Sequence, residues 1–236
     1  MEFELAVETA PPGWRHFTIS DLGRLPAAVR DRELARVPRA ERDRLAAGDP
    51  EARDRALRAC FWTFVYHLEP ELWDQLARAE PIHPDLLAAL PATMGRVLEV
   101  GAGSGRLTAH LAERCTNLIA IEPAAGLRKL LRRRLADICV VAGRAEAIPL
   151  KDGWSLLTVA CGSVGPDATV LRELERVTAS GGEIALISPE QPGWFEDHGW
   201  RRISREPLPA PPHDDWIDDF FGPPDPPHEM VSRTTR

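Results

Sequence analysis

Cysteine is scarce in this chain of 236 residues, lysine scarcer still, and excess positive charge is missing altogether. The four cysteines, Cys60, Cys115, Cys139 and Cys161, lie far apart without a CxxC pair, which argues against a zinc ribbon and a disulfide framework; reduced, mostly buried thiols are expected. No apolar run approaches the roughly 18 to 20 residues that cross a bilayer. The opening MEFELAVETAPPGW is acidic where a secretory leader would be basic and then apolar, so a cytoplasmic protein without membrane attachment is expected. Lys plus Arg number 29 against 36 Asp plus Glu, a net charge of -7. Generic affinity for phosphate backbones comes from Lys and Arg displacing counterions, so nucleic acid is disfavoured as a partner. Lys129 and Lys151 are the only lysines, and the bias toward arginine has no functional account.

Hydrophobic residues at 44% and charged residues at 28% are ordinary globular values, which excludes a disordered, collagen-like or coiled-coil chain. The length suits one large domain or a domain with a cap. Three textures follow one another: a helical stretch to about residue 95, alternating β-rich and amphipathic runs to about 190, then a tail rich in Pro, Asp and aromatics. The expected division is a helical cap and entry segment over 1–95 and a ligand-binding domain over 96–236.

Asp49-Pro50-Glu51 supplies an N-cap, a proline at the first helical position and an acid in the first turn, so a helix is predicted to begin there. Leu57, Cys60, Phe61, Phe64, Val65 and Leu68 then keep the spacing of one buried face. Shorter helices are expected from Pro70 and over 84–90. In the middle region, strands are predicted at 97–100, 117–122, 138–142, 156–161 and 183–188, separated by helical runs carrying Leu107 and Leu111, Leu127 to Leu135, and Val170 to Val177. Strands alternating with helices of this length mean βαβ units, hence an α/β fold: a Rossmann-like, doubly wound, mostly parallel sheet. A short helix at 194–198 and strands at 200–207 and 230–234 are expected to complete it.

The first strand runs into Gly101-Ala102-Gly103-Ser104-Gly105, a turn whose glycines allow close approach of a ligand to the backbone at a helix start. In such sheets the ligand lies beyond the carboxyl ends of the strands. Glu122 ends the second strand, where an acid can accept hydrogen bonds from ribose hydroxyls in both dinucleotide and S-adenosylmethionine sites. The dinucleotide fingerprint GxGxxG needs a small residue where this chain has Arg106. Glu99, two residues before the first glycine, suits a ligand with an amino group better than a pyrophosphate.

At this point the chain resembles the class I S-adenosylmethionine-dependent methyltransferases. VLEVGAGSG (97–105) looks like their first motif, IAIEP (119–123) like the second-strand motif, GRAEAIPLKDG (143–153) like the segment after the third strand, and LRELERVTASGGEIALISP (171–189) like the fourth helix, glycine turn and fifth strand. The resemblance implies S-adenosylmethionine as cofactor and S-adenosylhomocysteine as product. It implies that Gly101, Ala102, Gly103 and Gly105 border the methionine part, with Glu99 near its amino group. Glu122 would hold the ribose, Pro123 would pack beside the adenine, Ala145 and Glu146 would sit at the adenine edge, and Cys161, Gly162 and Ser163 beneath the sulfonium. Two positions depart from the pattern: Arg144 stands where many relatives place an acid for the adenine amino group, and Leu156 replaces an acid before the fourth strand.

Methyl transfer from a sulfonium asks the protein mainly to orient the nucleophile and exclude water, so no universal catalytic residue is expected. Tyr66, His67, His83 and His198 are the available bases, each also readable as packing or turn chemistry. No metal-ligand spacing occurs. The basic run Arg128 to Arg134 reads as a solvated helix face whose charge complements the helix dipole. In the tail, HDDWIDDFFGPPDPPH (213–228) reads either as a Pro-rich strap packing its aromatics on the sheet or as a lid attracting a cationic amine. Residues 189–236 carry 5 basic against 10 acidic side chains, which favours a neutral or cationic small-molecule acceptor over a polyanion. A nicotinamide-dependent oxidoreductase and a non-catalytic cofactor-binding module are the alternative readings.

Overall fold

A computed structural model of the protein describes residues 3–91 and 94–236. The chain divides into two compact units. The first runs to Leu76 and takes in His213–Pro224; the second holds Ala77–Pro212 and Asp225–Arg236.

The first unit opens with α1 (Phe3–Glu8), two 3₁₀ turns (Pro12–His16 and Ile19–Arg24), α2 (Ala27–Arg36) and α3 (Arg39–Ala46). The predicted helix at Asp49 forms as α4 (Pro50–Ala59), with Asp49 Oδ1 accepting from the N–H groups of Glu51 and Ala52 at 2.8 and 3.3 Å. It does not run through to Leu68. Cys60, at φ -91° and ψ 0°, leaves the helical conformation between the two pieces, and α5 (Phe61–Leu68) follows; aromatic and β-branched residues, which are weaker helix formers, dominate the second piece. Phe61, Phe64 and Val65 are fully buried all the same, so one apolar face continues across the break. α6 (Pro70–Ala79) carries the chain past Leu76 into the second unit.

In the second unit, α7 (Pro84–Ala89) precedes β1 (Met94–Val100), α8 (Arg106–Ala112), β2 (Cys115–Ile121), α9 (Ala125–Arg134), β3 (Cys139–Val141), β4 (Ser155–Cys161), α10 (Ala168–Val177), β5 (Thr178–Ile187), α11 (Pro192–Asp197), β6 (Arg201–Ser204) and β7 (Glu229–Thr234). Among the described residues the strands form one seven-stranded sheet in the order β3-β2-β1-β4-β5-β7-β6. The first five pair in parallel; β7 enters antiparallel between β5 and β6. This is the doubly wound sheet the alternation predicted, with the late strand pair in place.

Side chains alternate between two covered faces, as the two-residue period of a strand requires. Leu98, Ala160, Ile184 and Leu186 pack with Val170, Leu174, Phe195 and Trp200 on one face. Val97, Leu157, Val159, Ala185 and Ile187 pack with Leu86, Leu107 and Leu111 on the other. Glu99 is two residues from Val97, so it falls on the α8 side of the sheet.

Two expectations are corrected. Only Cys60 is a buried thiol; Cys115 and Cys161 are half-buried, and Cys139 lies exposed on the edge strand β3, where alternation turns it outward. In the tail, where a Pro-rich strap or lid was expected, residues Asp215–Phe221 form the helix α12 within the N-terminal unit, with Phe220 near His16, Phe17 and Phe61 and Phe221 stacked on Trp62 at 5.9 Å. Ile217, Phe220 and Phe221 sit at i, i+3, i+4, a helical face that the surrounding prolines obscured.

Candidate functional site

The carboxyl ends of β1, β2 and β4 bring the Gly-rich turn, Glu122 and the Cys161-Gly162 step to one edge of the parallel sheet. The turn is built on β2: the Gly101 and Ala102 N–H groups both donate to the Ile121 carbonyl at 2.9 and 3.0 Å, and the Gly105 N–H closes onto the Ala102 carbonyl at 3.0 Å. Gly101, Gly103 and Gly105 hold φ of +72°, +57° and +103°, a left-handed path that side chains resist. Ser163, past the end of β4, donates from its hydroxyl to the Val100 carbonyl at 3.1 Å and ties the two strand ends together.

Glu122 is buried, and its carboxylate organises the turn. Oε2 accepts the Gly103 N–H at 2.9 Å and Oε1 the Ala124 N–H at 2.7 Å. Burial raises its carboxyl above the ordinary carboxylate range, against those two amides and Arg128. Each oxygen keeps a lone pair for a further donor. Glu99 is more deeply buried; Thr108 lies against its carboxyl, but Oε2 has no hydrogen-bond partner among the described residues, nor has the buried hydroxyl of Ser104 in the turn. Buried polar groups are almost always paired, so two unpartnered buried oxygens at and before one glycine turn single it out as a candidate site for a polar ligand.

The remaining predicted residues are distributed as follows. Pro123 is exposed beyond β2, with its carbonyl accepting from Arg128. Ala145 packs against the sheet core, and Glu146 is held by Arg144, with Arg144 Nη2 donating to Glu146 Oε1 at 2.7 Å. The acid proposed for the adenine edge therefore already serves an ion pair. Leu156 is exposed on the amino-terminal half of β4, away from the strand ends.

The four candidate bases all have local duties. Tyr66 stacks on Trp62 and meets Trp73 edge-on at 5.0 Å. His83 caps α7, its Nδ1 accepting the Asp85 N–H at 3.1 Å. His198 stacks on Trp194 at 3.8 Å, and His67 is half-buried on α5.

The basic run on α9 is more than a solvated face. Arg128 Nη1 donates to the carbonyls of Glu122 and Pro123 at 2.7 and 2.6 Å, Arg132 to that of Val140 at 2.7 Å, and Arg134 to that of Ser104 at 2.9 Å. Two of the three pin the loops that carry Glu122 and the glycines. Arg128→Gln is expected to cost about 1–2 kcal/mol in denaturant unfolding, the scale of charge-assisted hydrogen bonds to backbone carbonyls. A midpoint equal to that of the parent protein would show the loops hold without it.

One pair escaped the sequence reading. Arg106, the first residue of α8, forms an ion pair with Glu80 at 3.0 Å, and both side chains are largely buried. The available signal was the position of Glu80: an acid directly after the last turn of α6 opposes the helix dipole and calls for another reason to be there.

The sheet, the glycine turn and the acids at the ends of β1 and β2 define a nucleotide-type cofactor domain. Residues 97–182 match the family model described as a methyltransferase domain. An uncharacterized methyltransferase of Mycobacterium tuberculosis is 36% identical over 116 residues, 47% of each chain. A demethylmenaquinone methyltransferase of Beutenbergia cavernae is 33% identical over 113 residues, 47% of this chain and 46% of that one. The chain thus spans about half the length of the curated relatives it matches. A chain in the solved complex of the Haloferax volcanii Trm112 methyltransferase activator shares the fold at a TM-score of 0.53, with 15% identity, 70% of this chain and 92% of that chain covered. The stretch from β1 into β5 thus resembles the methyltransferase domain of those proteins. No described helix is long and apolar enough to cross a membrane.

Proposed function

We propose that this chain is a methyltransferase that binds S-adenosylmethionine at the glycine turn and transfers its methyl group to a neutral or cationic small molecule. The observation that carries this is the buried Glu99 carboxyl, with Oε2 unpartnered, beside a glycine turn organised by Glu122. When bound, the cofactor supplies a methyl group on a cationic sulfur that leaves as a neutral thioether in an in-line displacement. The chain's part is positional. Glycine backbone at 101, 103 and 105 gives room for close approach, Glu122 offers its free lone pairs to the ribose hydroxyls, and Glu99 meets the amino group. Cys161 and Gly162 form the floor at the end of β4, where water must be excluded from the transferring methyl.

Calorimetry with S-adenosylmethionine and S-adenosylhomocysteine tests the cofactor. Saturable binding is the expected result, and no heat at millimolar ligand overturns it. Screening acceptors with a labelled methyl donor then tests the transfer, and turnover confined to macromolecular acceptors would overturn the small-molecule part. Glu122→Ala is expected to weaken S-adenosylhomocysteine binding by about 1–3 kcal/mol, the range for hydrogen bonds to a charged partner. Glu122→Gln keeps one acceptor oxygen and loses less. Unchanged affinity in both variants would place the ribose elsewhere.

A further inference from the structure

Arg176, in the last turn of α10, leaves none of its side-chain donors idle. Nε and Nη2 donate to the two oxygens of Glu173 at 2.7 and 2.8 Å. Nη1 donates to the Leu150 carbonyl at 2.8 Å and to Asp152 Oδ1 at 2.7 Å, and Nη2 donates again to the Ile148 carbonyl at 2.9 Å. A guanidinium carries five N–H groups, so this one is fully spent. Glu173 meets it through the parallel fork that the two groups favour and also accepts the Ile148 N–H on Oε2 at 2.8 Å. That guanidinium holds the Glu173 carboxyl below the ordinary carboxylate range. Ile148 therefore has both of its peptide groups in the grip of α10, and the Gly153 N–H closes the loop onto the Arg176 carbonyl at 2.9 Å.

The clamp holds the exit of a tight turn. Arg144 and Ala147 bridge across it, the Ala147 N–H donating to the Arg144 carbonyl at 3.2 Å, so Ala145 and Glu146 form the tip. Its entry is close-packed: a Cβ on Gly143 would lie 2.8 Å from Ile121 Cγ2 and 2.9 Å from Pro149 Cδ. The turn leaves the sheet beside Glu122, whose N–H donates to the Val141 carbonyl at 3.1 Å. Packing fixes the tip on one side, and the Glu173–Arg176 pair fixes it on the other.

We propose that Arg176 and Glu173 are positioning residues for recognition of the cofactor's base, acting through the 144–147 turn rather than on the ligand. The inference rests on the methyltransferase reading, with the base at the tip of that turn. Adenine presents a donor and an acceptor along its edge where hypoxanthine reverses both. Telling them apart requires recognition groups held to within about 0.5 Å, and a turn free to shift would accommodate either base.

The test measures binding by calorimetry, without turnover, on S-adenosylhomocysteine and on S-inosylhomocysteine, in which hypoxanthine replaces adenine. The wild-type chain is expected to prefer the adenine ligand. Arg176→Gln is expected to shrink that preference by about tenfold, the discrimination of roughly one hydrogen bond, by weakening S-adenosylhomocysteine alone. Arg176→Lys keeps the charge and three donors, so the preference should fall less; it carries the test if the glutamine variant fails to fold. Equal weakening of both ligands, or a preference that neither variant reduces, marks Arg176 as structural only and overturns the proposal. A wild-type chain that binds the adenine ligand no better than the hypoxanthine one overturns it as well. A wild-type chain that binds neither overturns the methyltransferase reading itself, a distinct result.

Discussion

Gly101→Ala is expected to destabilise the protein by about 2–5 kcal/mol and to abolish measurable S-adenosylhomocysteine binding; the cost combines a left-handed backbone, about 1–2 kcal/mol for an L residue, with overpacking of about 1–3 kcal/mol. Gly101 sits at φ +72°, and a Cβ added there would lie 2.5 Å from Ser163 Oγ and 2.6 Å from Ser163 Cβ. Rotating the hydroxyl relieves only the first contact. The second is fixed to the backbone, so the loop after β4 must move, and the Ser163 bond to the Val100 carbonyl that joins the two strand ends is lost with it. The turn itself is constrained from the other side by paired amides on the Ile121 carbonyl. Gly181→Ala supplies the control. It has a similar φ of +75° but nothing within 4 Å of the added Cβ, so it should show the backbone cost alone, about 1–2 kcal/mol, and bind normally. Denaturant unfolding and calorimetry on the two variants separate strain from collision. Equal behaviour of the pair would mean that the contact with Ser163 yields freely and does not define the site.

The parallel strands, the glycine turn and the acids at the ends of β1 and β2 were legible because each is locally encoded. Apolar alternation marks a strand covered on both faces, and a glycine triplet between strand and helix marks a left-handed turn. What escaped depends on partners distant in sequence. Whether Glu80 meets Arg106 is decided by how α6 ends and where α8 begins, 26 residues apart. The arginines of α9 point at carbonyls that no periodicity reveals, so a run with the composition of a solvated face turned out to pin two loops. The 213–224 stretch was misread for a related reason. Prolines on both sides of a seven-residue helix hid its period, and its place with the N-terminal unit follows from contacts with His16, Phe17 and Phe61, some two hundred residues earlier in the first two cases. The strand ends could be anticipated to within a few residues, whereas the side chains that finish the site could not.

Glu99→Gln should act in opposite directions on stability and on binding. Burial pushes the Glu99 carboxyl up to about 8 from 4.5; Glu122 adds to the shift, while Thr108 and Arg106 oppose it. The Cys115 and Cys161 thiols, themselves raised chiefly by burial, also feel its charge. Between those two values the folded cofactor-free chain holds a proton that the unfolded chain has released. The stability present below the unfolded value therefore drains as pH rises and is lost through about 8, by on the order of 3–5 kcal/mol if no other group compensates. Glutamine does not titrate, so the variant should lack this slope. At acid pH it is expected to be no more stable than the parent, since a buried amide left partly unpaired costs about 1–3 kcal/mol. At alkaline pH it should be the more stable of the two, and the curves of unfolding free energy against pH should cross. Binding should move the other way. An ammonium opposite Glu99 favours the carboxylate, so parent affinity for S-adenosylhomocysteine should rise with pH toward about 8 as a proton is released on binding. The glutamine variant should bind about tenfold to a hundredfold more weakly at alkaline pH and release no such proton, which calorimetry in buffers of different ionisation enthalpy reads directly. Parallel stability curves, or proton release that survives the substitution, would show that Glu99 is not the group that couples this site to pH.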